Sequence, residues 1–175
     1  MSAGSPWILD HIREIVDYPK PGVVFRDITP LLGSAPAFGR AVDDLVSRFD
    51  DIEVDRVVGI ESRGFILAAP VAYRLRAGFV PVRKAGKLPW AVAREEYDLE
   101  YGSDKLEIHR DAVHPDERVL VVDDVLATGG TAAATCRLIE VLGARVVGLG
   151  FLIELGGLDG RRRLEGRRVA SLVEY

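Results

Sequence analysis

VLVVDDVLATGGT, at residues 119–131, is the stretch from which the fold can be worked out. Its first four residues are apolar and mostly β-branched, as in a strand that is covered on both faces. Gly129 and Gly130 then let the chain wrap closely before a helix, whose first N–H groups have no partner and attract anions. With the hydroxyls of Thr128 and Thr131 added, this turn predicts a phosphate-binding loop.

Two adjacent acids, Asp123 and Asp124, stand between the strand and the glycines. Carboxylates repel a phosphate, but each can accept hydrogen bonds from the hydroxyls of a diol. The motif therefore predicts a ribose phosphate as ligand. It lacks the G-x-x-x-x-G-K-[ST] spacing of nucleoside triphosphatases and the G-x-G-x-x-G spacing of dinucleotide folds. The alternative is an acidic surface turn beside an ordinary helix start.

Apolar runs on both sides predict further strands at 56–60, 79–83 and 145–153, with helical patterns at 65–76 and 131–142. The order strand, helix, strand occurs twice, which predicts an α/β fold with a doubly wound, mostly parallel sheet. Ligands of such sheets bind beyond the carboxyl ends of the strands. We therefore expect the site in the loops that follow these strands.

Three segments outside the strands are also informative. The helical spacing of apolar residues predicts a helix at 7–16, and Ser34 with Pro36 begins a second, amphipathic helix that reaches Phe49. Residues 86–110 form a long polar and aromatic insertion of the kind that often acts as a lid, and alternation near its end predicts a β-ribbon flap.

The composition limits the class of protein. The chain has 175 residues, of which 48% are apolar, and 23 basic against 27 acidic residues give a formal charge of −4. A chain of this size buries enough surface to fold as one domain, 1–175, and a lone Cys136 excludes an internal disulfide. Mild acidity argues against nucleic acid as a partner, and the short apolar runs argue against a membrane. We expect a cytoplasmic protein.

The opening motif resembles the phosphoribosyl-diphosphate motif of the type I phosphoribosyltransferase family. Segments at 21–32 (PGVVFRDITPLL), 61–65 (ESRGF), 82–89 (VRKAGKLP) and 97–112 (YDLEYGSDKLEIHRDA) resemble the adenine-specific branch of that family in order and spacing. The resemblance implies a purine salvage transferase with a small hood and a flexible flap. It would move the 5-phosphoribosyl group of phosphoribosyl diphosphate to N9 of adenine, forming AMP and diphosphate, with Mg²⁺ and as a homodimer.

The resemblance also implies roles for individual residues. The phosphoribosyl group would be bound by Asp123, Asp124, Ala127, Thr128, Gly129, Gly130 and Thr131. The diphosphate would be bound by Arg63, Arg83, Lys84 and Lys87, and adenine by Val24, Phe25, Arg26 and Leu155. The catalytic residues would be Glu100, Tyr101 and Arg63, and the peptide bond between Glu61 and Ser62 would be cis.

These roles agree with the chemistry of the reaction. Breaking the C1–O bond builds positive charge on the sugar and negative charge on the diphosphate, so cations at the diphosphate accelerate it. Glu100 could take the proton that adenine loses, which contributes ~10² to 10⁴ in rate. No metal-ligand spacing occurs in the sequence, so we expect Mg²⁺ to be held mainly by the substrate and water.

Two alternatives stay open at this point. The chain could use another purine base, xanthine, hypoxanthine or guanine, since only the segment at 21–32 separates these from adenine. It could also be a regulator that senses phosphoribosyl diphosphate without catalysis. Such a sensor would not need the flap acid Glu100 or the stacking residue Phe25, and both are present.

Overall fold

The computed structural model describes residues 6–98 and 103–175. The strands are β1 (Arg13–Val16), β2 (Val24–Asp27), β3 (Arg56–Ile60), β4 (Gly78–Lys84), β5 (Val92–Asp98), β6 (Ser103–His109), β7 (Arg118–Leu126), β8 (Arg145–Glu154) and β9 (Val169–Glu174). The α-helices are α1 (Thr29–Gly33), α2 (Ala35–Ser47), α3 (Gly64–Leu75) and α4 (Gly130–Val141). Short 3₁₀ segments cover Pro6–His11, Gly156–Leu158 and Gly160–Leu164.

The main sheet has seven strands in the order β5-β6-β4-β3-β7-β8-β9. The five strands from β4 to β9 run parallel, and β5 and β6 are antiparallel additions at one edge. Helices α3 and α4 connect β3 to β4 and β7 to β8, so the predicted α/β fold with a mostly parallel sheet is confirmed.

Strand β7 is longer than its apolar run predicts. The expected end at Val122 is wrong, because the strand continues to Leu126, which pairs with Glu154 of β8. Asp123 and Asp124 therefore lie on the strand itself, where backbone pairing fixes their direction.

The sheet is covered on both faces. Val57 and Val58 are both fully buried, yet they belong to different apolar clusters, because successive strand residues point to opposite faces. Helices α2 and α3 contribute to the cluster that contains Val57, and α4 contributes to the other. Burying each large aliphatic side chain stabilises the fold by about 1.5–3 kcal/mol. This core holds the carboxyl ends of β3, β4 and β7 side by side.

The predicted helix at 7–16 is wrong in its second half. The chain forms a 3₁₀ segment at Pro6–His11 and then strand β1, which pairs antiparallel with β2. The ladder and an ion pair of 3.7 Å between Arg13 and Asp27 join these strands, so a partner distant in sequence overrides the local helical spacing. The resulting β1–β2 hairpin, which we call the hood, lies outside the main sheet.

The insertion at 86–110 forms the predicted β-ribbon. Strands β5 and β6 pair antiparallel, and β6 also pairs with β4, so the ribbon extends the main sheet. Glu107 is buried on β6, where it accepts hydrogen bonds from Arg94 Nε at 2.8 Å and Gly86 N at 2.9 Å. In the described part of the chain, none of the helices has the length and apolarity needed to cross a membrane.

Candidate active site

The predicted phosphate-binding loop connects the end of β7 to the start of α4. A recess of ≈ 80 Å³ lies there, and its lining includes all five predicted loop residues, Ala127, Thr128, Gly129, Gly130 and Thr131. The first N–H groups of α4 have no helical partner and carry partial positive charge. The structure therefore builds a small anion-sized recess from the residues that the sequence indicates.

A C-terminal segment that the sequence did not indicate shapes this loop. Gly129 has a φ of +77°, and a Cβ there would lie 2.4 Å from the carbonyl oxygen of Gly160. A Cβ on Gly160 would in turn lie 2.1 Å from the carbonyl oxygen of Ala127. Two backbones can approach this closely only without side chains. The 3₁₀ segment Gly160–Leu164 thus packs directly behind the loop.

The carboxylates at the end of β7 are held close together. Asp124 N–H donates to Asp123 Oδ1 at 2.9 Å, and burial together with the charge of Asp124 raises the pKa of Asp123 well above its usual value. Asp124 is buried, and its Oδ2 lies 2.7 Å from Arg63 Nε without an aligned hydrogen bond. This pair therefore has unused acceptor capacity, which suits the hydroxyls of a diol.

A cleft of ≈ 320 Å³ opens at the carboxyl ends of β3, β4 and β7. It is lined by Glu61, Ser62, Arg63, Lys84, Tyr97, Asp104, Leu106, Asp123, Asp124 and Thr131. The structure thus brings together five predicted site residues from three separate segments. Tyr97 and Asp104, which belong to the ribbon, also line the cleft, although the quoted segment 97–112 assigned neither of them a role.

The basic residues predicted to bind diphosphate all have acidic neighbours. Arg83 Nε lies 3.3 Å from Glu61 Oε2, and Lys87 forms an ion pair with the same carboxylate. Lys84 Nζ lies 3.1 Å from Asp104 Oδ2. Burial raises the pKa of Glu61, but hydrogen bonds from Lys87 and from the Lys84 N–H outweigh it, so its pKa lies below the usual value. These cations are concentrated around the start of the ribbon.

The peptide bond between Glu61 and Ser62 is cis, as predicted. The bond lies directly before Arg63, and both Ser62 and Arg63 line the cleft.

The hood lies near Arg63. The Arg63 guanidinium is 5.2 Å from the centre of the Phe25 ring, which meets Tyr18 edge to face at 5.3 Å. Phe25 is therefore half-buried beside the cleft rather than part of the central core. The side chain of Val24 is more exposed.

Arg26 supports the hood from behind. Its guanidinium lies 3.8 Å from the centre of the Tyr175 ring and forms an ion pair with Glu14. The neighbouring Asp27 has other partners, since it accepts hydrogen bonds from the N–H and hydroxyl of Thr29 and forms an ion pair with Arg13. The Arg26 guanidinium is thus engaged with Tyr175 and Glu14, which leaves its main chain available for other contacts.

The other predicted residues divide into described and undescribed ones. Leu155 follows β8 and donates its N–H to Leu126 O at 2.9 Å, so it lies beside the end of β7. Glu100 and Tyr101 lie outside the described residues. Cys136 is buried in the core, and burial raises the pKa of its thiol to about 11.

The basic run near the C-terminus has a structural role. Arg161 forms two hydrogen bonds to the buried Glu154, at 2.6 and 2.7 Å. Arg167 and Arg168 likewise contact Glu140 and Asp51. These pairs fix the segment behind the phosphate-binding loop.

Known proteins resemble this chain over nearly its whole length. A family model for the phosphoribosyl transferase domain matches residues 32–169. An adenine phosphoribosyltransferase of Desulfitobacterium hafniense is 58% identical over 165 residues, 94% of this chain and 95% of that protein. The crystal structure of adenine phosphoribosyltransferase from Thermoanaerobacter pseudethanolicus has a TM-score of 0.94 at 50% identity, covering 97% of this chain and 98% of that one. The Saccharomyces cerevisiae enzyme, crystallised with an imino-altritol bisphosphate and adenine, has a TM-score of 0.90 at 38% identity, covering 95% and 96%.

Proposed function

This chain belongs to the adenine phosphoribosyltransferase family, and we propose that its cleft performs the family's reaction with the residues described above. It is a glycosyltransferase of purine salvage, which transfers the 5-phosphoribosyl group from phosphoribosyl diphosphate to N9 of adenine, giving AMP and diphosphate. One observation supports this site above the others: the carboxylates of Asp123 and Asp124 lie next to the anion-sized recess at the end of β7.

In this proposal, the substrate lies along the edge formed by β3, β4 and β7. The 5-phosphate occupies the recess at 127–131, where it accepts hydrogen bonds from backbone N–H groups and threonine hydroxyls. Asp123 and Asp124 accept hydrogen bonds from the ribose hydroxyls. The sugar is thus held both through its phosphate and through its hydroxyls, and its C1 atom faces the cleft.

The leaving diphosphate then lies against Arg63, Lys84 and the neighbouring cations Arg83 and Lys87. Their positive charge stabilises the negative charge that develops as the C1–O bond breaks. Arg63 is the central residue, because its guanidinium contacts both Asp124 and the face of Phe25. It therefore lies where it can contact the sugar, the diphosphate and the base at the same time.

Adenine enters between the hood and Leu155. Phe25 stacks on its apolar face, while the main chain of Val24 and Arg26 can read the edge that carries the amino group. Glu100 accepts the proton that adenine loses, and Tyr101 beside it is the second catalytic residue of the flap. Keeping water out of the cleft prevents hydrolysis of the activated sugar.

Mg²⁺ fits this cleft as an ion carried by the diphosphate. Among residues 6–98 and 103–175, no group of three acidic, histidine or cysteine side chains is arranged to hold a metal ion. The carboxylates of Asp123 and Asp124 face the cleft, and they can accept hydrogen bonds from waters of a hydrated Mg²⁺. When bound, the ion would neutralise part of the charge on the leaving diphosphate.

We further propose that the chain acts in the cytoplasm as one catalytic domain and as a homodimer. An apolar face formed by Ile66 and Tyr73 of α3 and Phe79 of β4 supports the dimer, because Tyr73 is 84% exposed and the other two are about 40% exposed. Arg83 follows on the same strand as Phe79, so a partner at this face would lie close to the diphosphate cations.

The dimer has a direct test. Tyr73→Glu should shift the protein toward the monomer in size-exclusion chromatography with light scattering, whereas Val141→Glu, at an exposed apolar residue of α4, should leave the mass unchanged. Equal masses for the unsubstituted protein and Tyr73→Glu would contradict this face as the interface.

The activity is tested by incubating the protein with phosphoribosyl diphosphate, Mg²⁺ and each of adenine, hypoxanthine, guanine and xanthine, and measuring the nucleotide and diphosphate formed. We expect AMP from adenine, little product from the oxo-purines, and loss of activity when EDTA removes the metal. Glu100→Gln should lower kcat by about 10² or more, while Glu96→Gln, at an acid paired with Lys105, should not. Absence of AMP would overturn the proposed function.

A further inference from the structure

Two side chains of the ribbon lie between the parts of the cleft that would bind the two ends of phosphoribosyl diphosphate. Tyr97 of β5 and Asp104 of β6 are direct partners in the antiparallel ladder. The segment 99–102, which includes Glu100, connects them. Both side chains line the cleft together with Lys84, Thr131 and the carboxylates of β7. The base of the ribbon is therefore part of the site wall.

Asp104 contacts the cation side of the cleft. Its Oδ2 lies 3.1 Å from Lys84 Nζ, and its Oδ1 accepts the Lys105 N–H at 2.8 Å. The second contact fixes the carboxylate relative to its own backbone. Lys84 is a flexible side chain that is about half exposed, so it needs such a partner to stay at one position.

Tyr97 contacts the phosphate-binding loop. Its ring is 8% exposed, and its hydroxyl interacts with the side chains of both Thr131 and Asp104. A buried tyrosine hydroxyl generally has a hydrogen-bonding partner, and here both partners belong to the cleft. Since Thr131 lies at the start of α4, Tyr97 joins the ribbon to the loop that would receive the 5-phosphate.

We propose that Tyr97 and Asp104 are positioning residues that connect the two ends of the phosphoribosyl diphosphate site, with Tyr97 orienting Thr131 and Asp104 orienting Lys84. This inference rests on the proposed function. The chain of contacts runs from Lys84 through Asp104 and Tyr97 to Thr131, so occupation of one end stabilises the arrangement at the other. The ribbon thereby responds to a ligand that carries both groups.

The kinetic test uses Tyr97→Phe and Asp104→Asn, which keep the size of each side chain. Each should raise KM for phosphoribosyl diphosphate about five- to tenfold, as the loss of one hydrogen bond implies, with kcat and KM for adenine changed less than about twofold. In the double variant, KM for phosphoribosyl diphosphate should rise by less than the product of the two single increases, because the two residues share one network. Glu96→Gln, on the same strand, is the matched control. Unchanged KM for phosphoribosyl diphosphate, or an equal rise in KM for both substrates, would overturn the inference.

A binding test separates this inference from the proposed function. Calorimetry with ribose 5-phosphate and with diphosphate plus Mg²⁺ requires no turnover. In the unsubstituted protein, saturating ribose 5-phosphate should tighten diphosphate binding, and Tyr97→Phe should remove that coupling. If no AMP is formed but the coupling is present and sensitive to Tyr97, the inference stands and the activity assignment fails. If AMP is formed and no coupling exists, the inference is wrong and the activity assignment stands.

Discussion

Replacing Gly160 by alanine should damage the phosphate-binding loop from a position outside the cleft. The new Cβ would lie 2.1 Å from Ala127 O, whereas Cβ atoms are rarely closer than 3.0 Å to any atom. The two backbones must therefore separate by about 0.9 Å, the difference between these distances. Overpacking of this kind costs about 1–3 kcal/mol, which lowers Tm by about 2–12 °C in a chain of this size.

The same displacement should affect binding of phosphoribosyl diphosphate. A shift of about 1 Å in a positioning element can lower the rate up to about 10²-fold, so we expect kcat/KM for phosphoribosyl diphosphate to fall by 10- to 100-fold. Gly157→Ala is the matched control, because a Cβ there meets nothing within 4 Å. Thermal unfolding and steady-state kinetics measure both effects. If Gly160→Ala behaves like Gly157→Ala in both, the C-terminal segment does not shape the loop.

Three further predictions concern buried charges and the core thiol. Asp123→Asn should raise Tm at neutral pH and lower kcat/KM for phosphoribosyl diphosphate about 10- to 100-fold. Because folding raises the pKa of Asp123, the ionised carboxylate destabilises the folded protein. The gain in Tm on replacement by asparagine should therefore shrink as pH falls and the carboxylate becomes protonated. A gain in Tm that does not change with pH would contradict this explanation. Burial raises the pKa of the Cys136 thiol to about 11, so the thiol should stabilise the fold below about pH 9, and this contribution should disappear as pH rises toward about 11. The unfolding free energy, measured with urea at each pH, should therefore fall less steeply over this range in Cys136→Ala than in the unsubstituted protein. Arg161→Ala should lower the unfolding free energy by about 1–3 kcal/mol, because the buried Glu154 would keep only the hydroxyl of Ser171 as a side-chain partner. Arg162→Ala should change the unfolding free energy by less than about 0.5 kcal/mol, and equal effects of the two variants would show that the Arg161 pair is not specific.

The parts of the fold that could be predicted from the sequence are those whose signal is local. Strand β3 and the helix after it appear as an apolar run followed by helical spacing, and the observed bounds agree to within about one residue. Ser34 caps α2 as predicted, accepting a hydrogen bond from Ala37 N. Gly143 ends the last helix with a φ of +88°. In each case, the deciding residues lie within a few positions of one another.

The elements that were missed depend on partners far along the chain. Strand β1 is specified by pairing with β2, and β9 by pairing with β8, whereas their local sequences show little alternation. The packing of Gly160 against Ala127 joins residues more than 30 positions apart, and a single glycine in a basic segment does not reveal it. Propensity is a weak guide wherever such tertiary contacts decide the conformation.

In the candidate site too, the contiguous parts were predictable from the sequence and the parts that depend on distant contacts were not. The motif at 119–131 located the carboxylates and the recess, because strand, turn and helix start are contiguous. It could not show that Tyr97 and Asp104 line the cleft, since that depends on how β6 pairs with β4 and β5. The sequence also could not show that the basic residues near the ribbon have acidic partners.

Those acidic partners give the cleft the character of an ion exchanger. Glu61 acts as an internal counter-ion for Arg83 and Lys87, so an incoming anion must displace its carboxylate rather than occupy a bare positive surface. A small monovalent anion gains too little from one cation to make that exchange favourable. A diphosphate offers several charges at once and can replace the Glu61 carboxylate at both cations together. The arrangement thereby discriminates by valence: it favours a multiply charged anion over simple monovalent ones, and it leaves the released Glu61 carboxylate free to bind another cation.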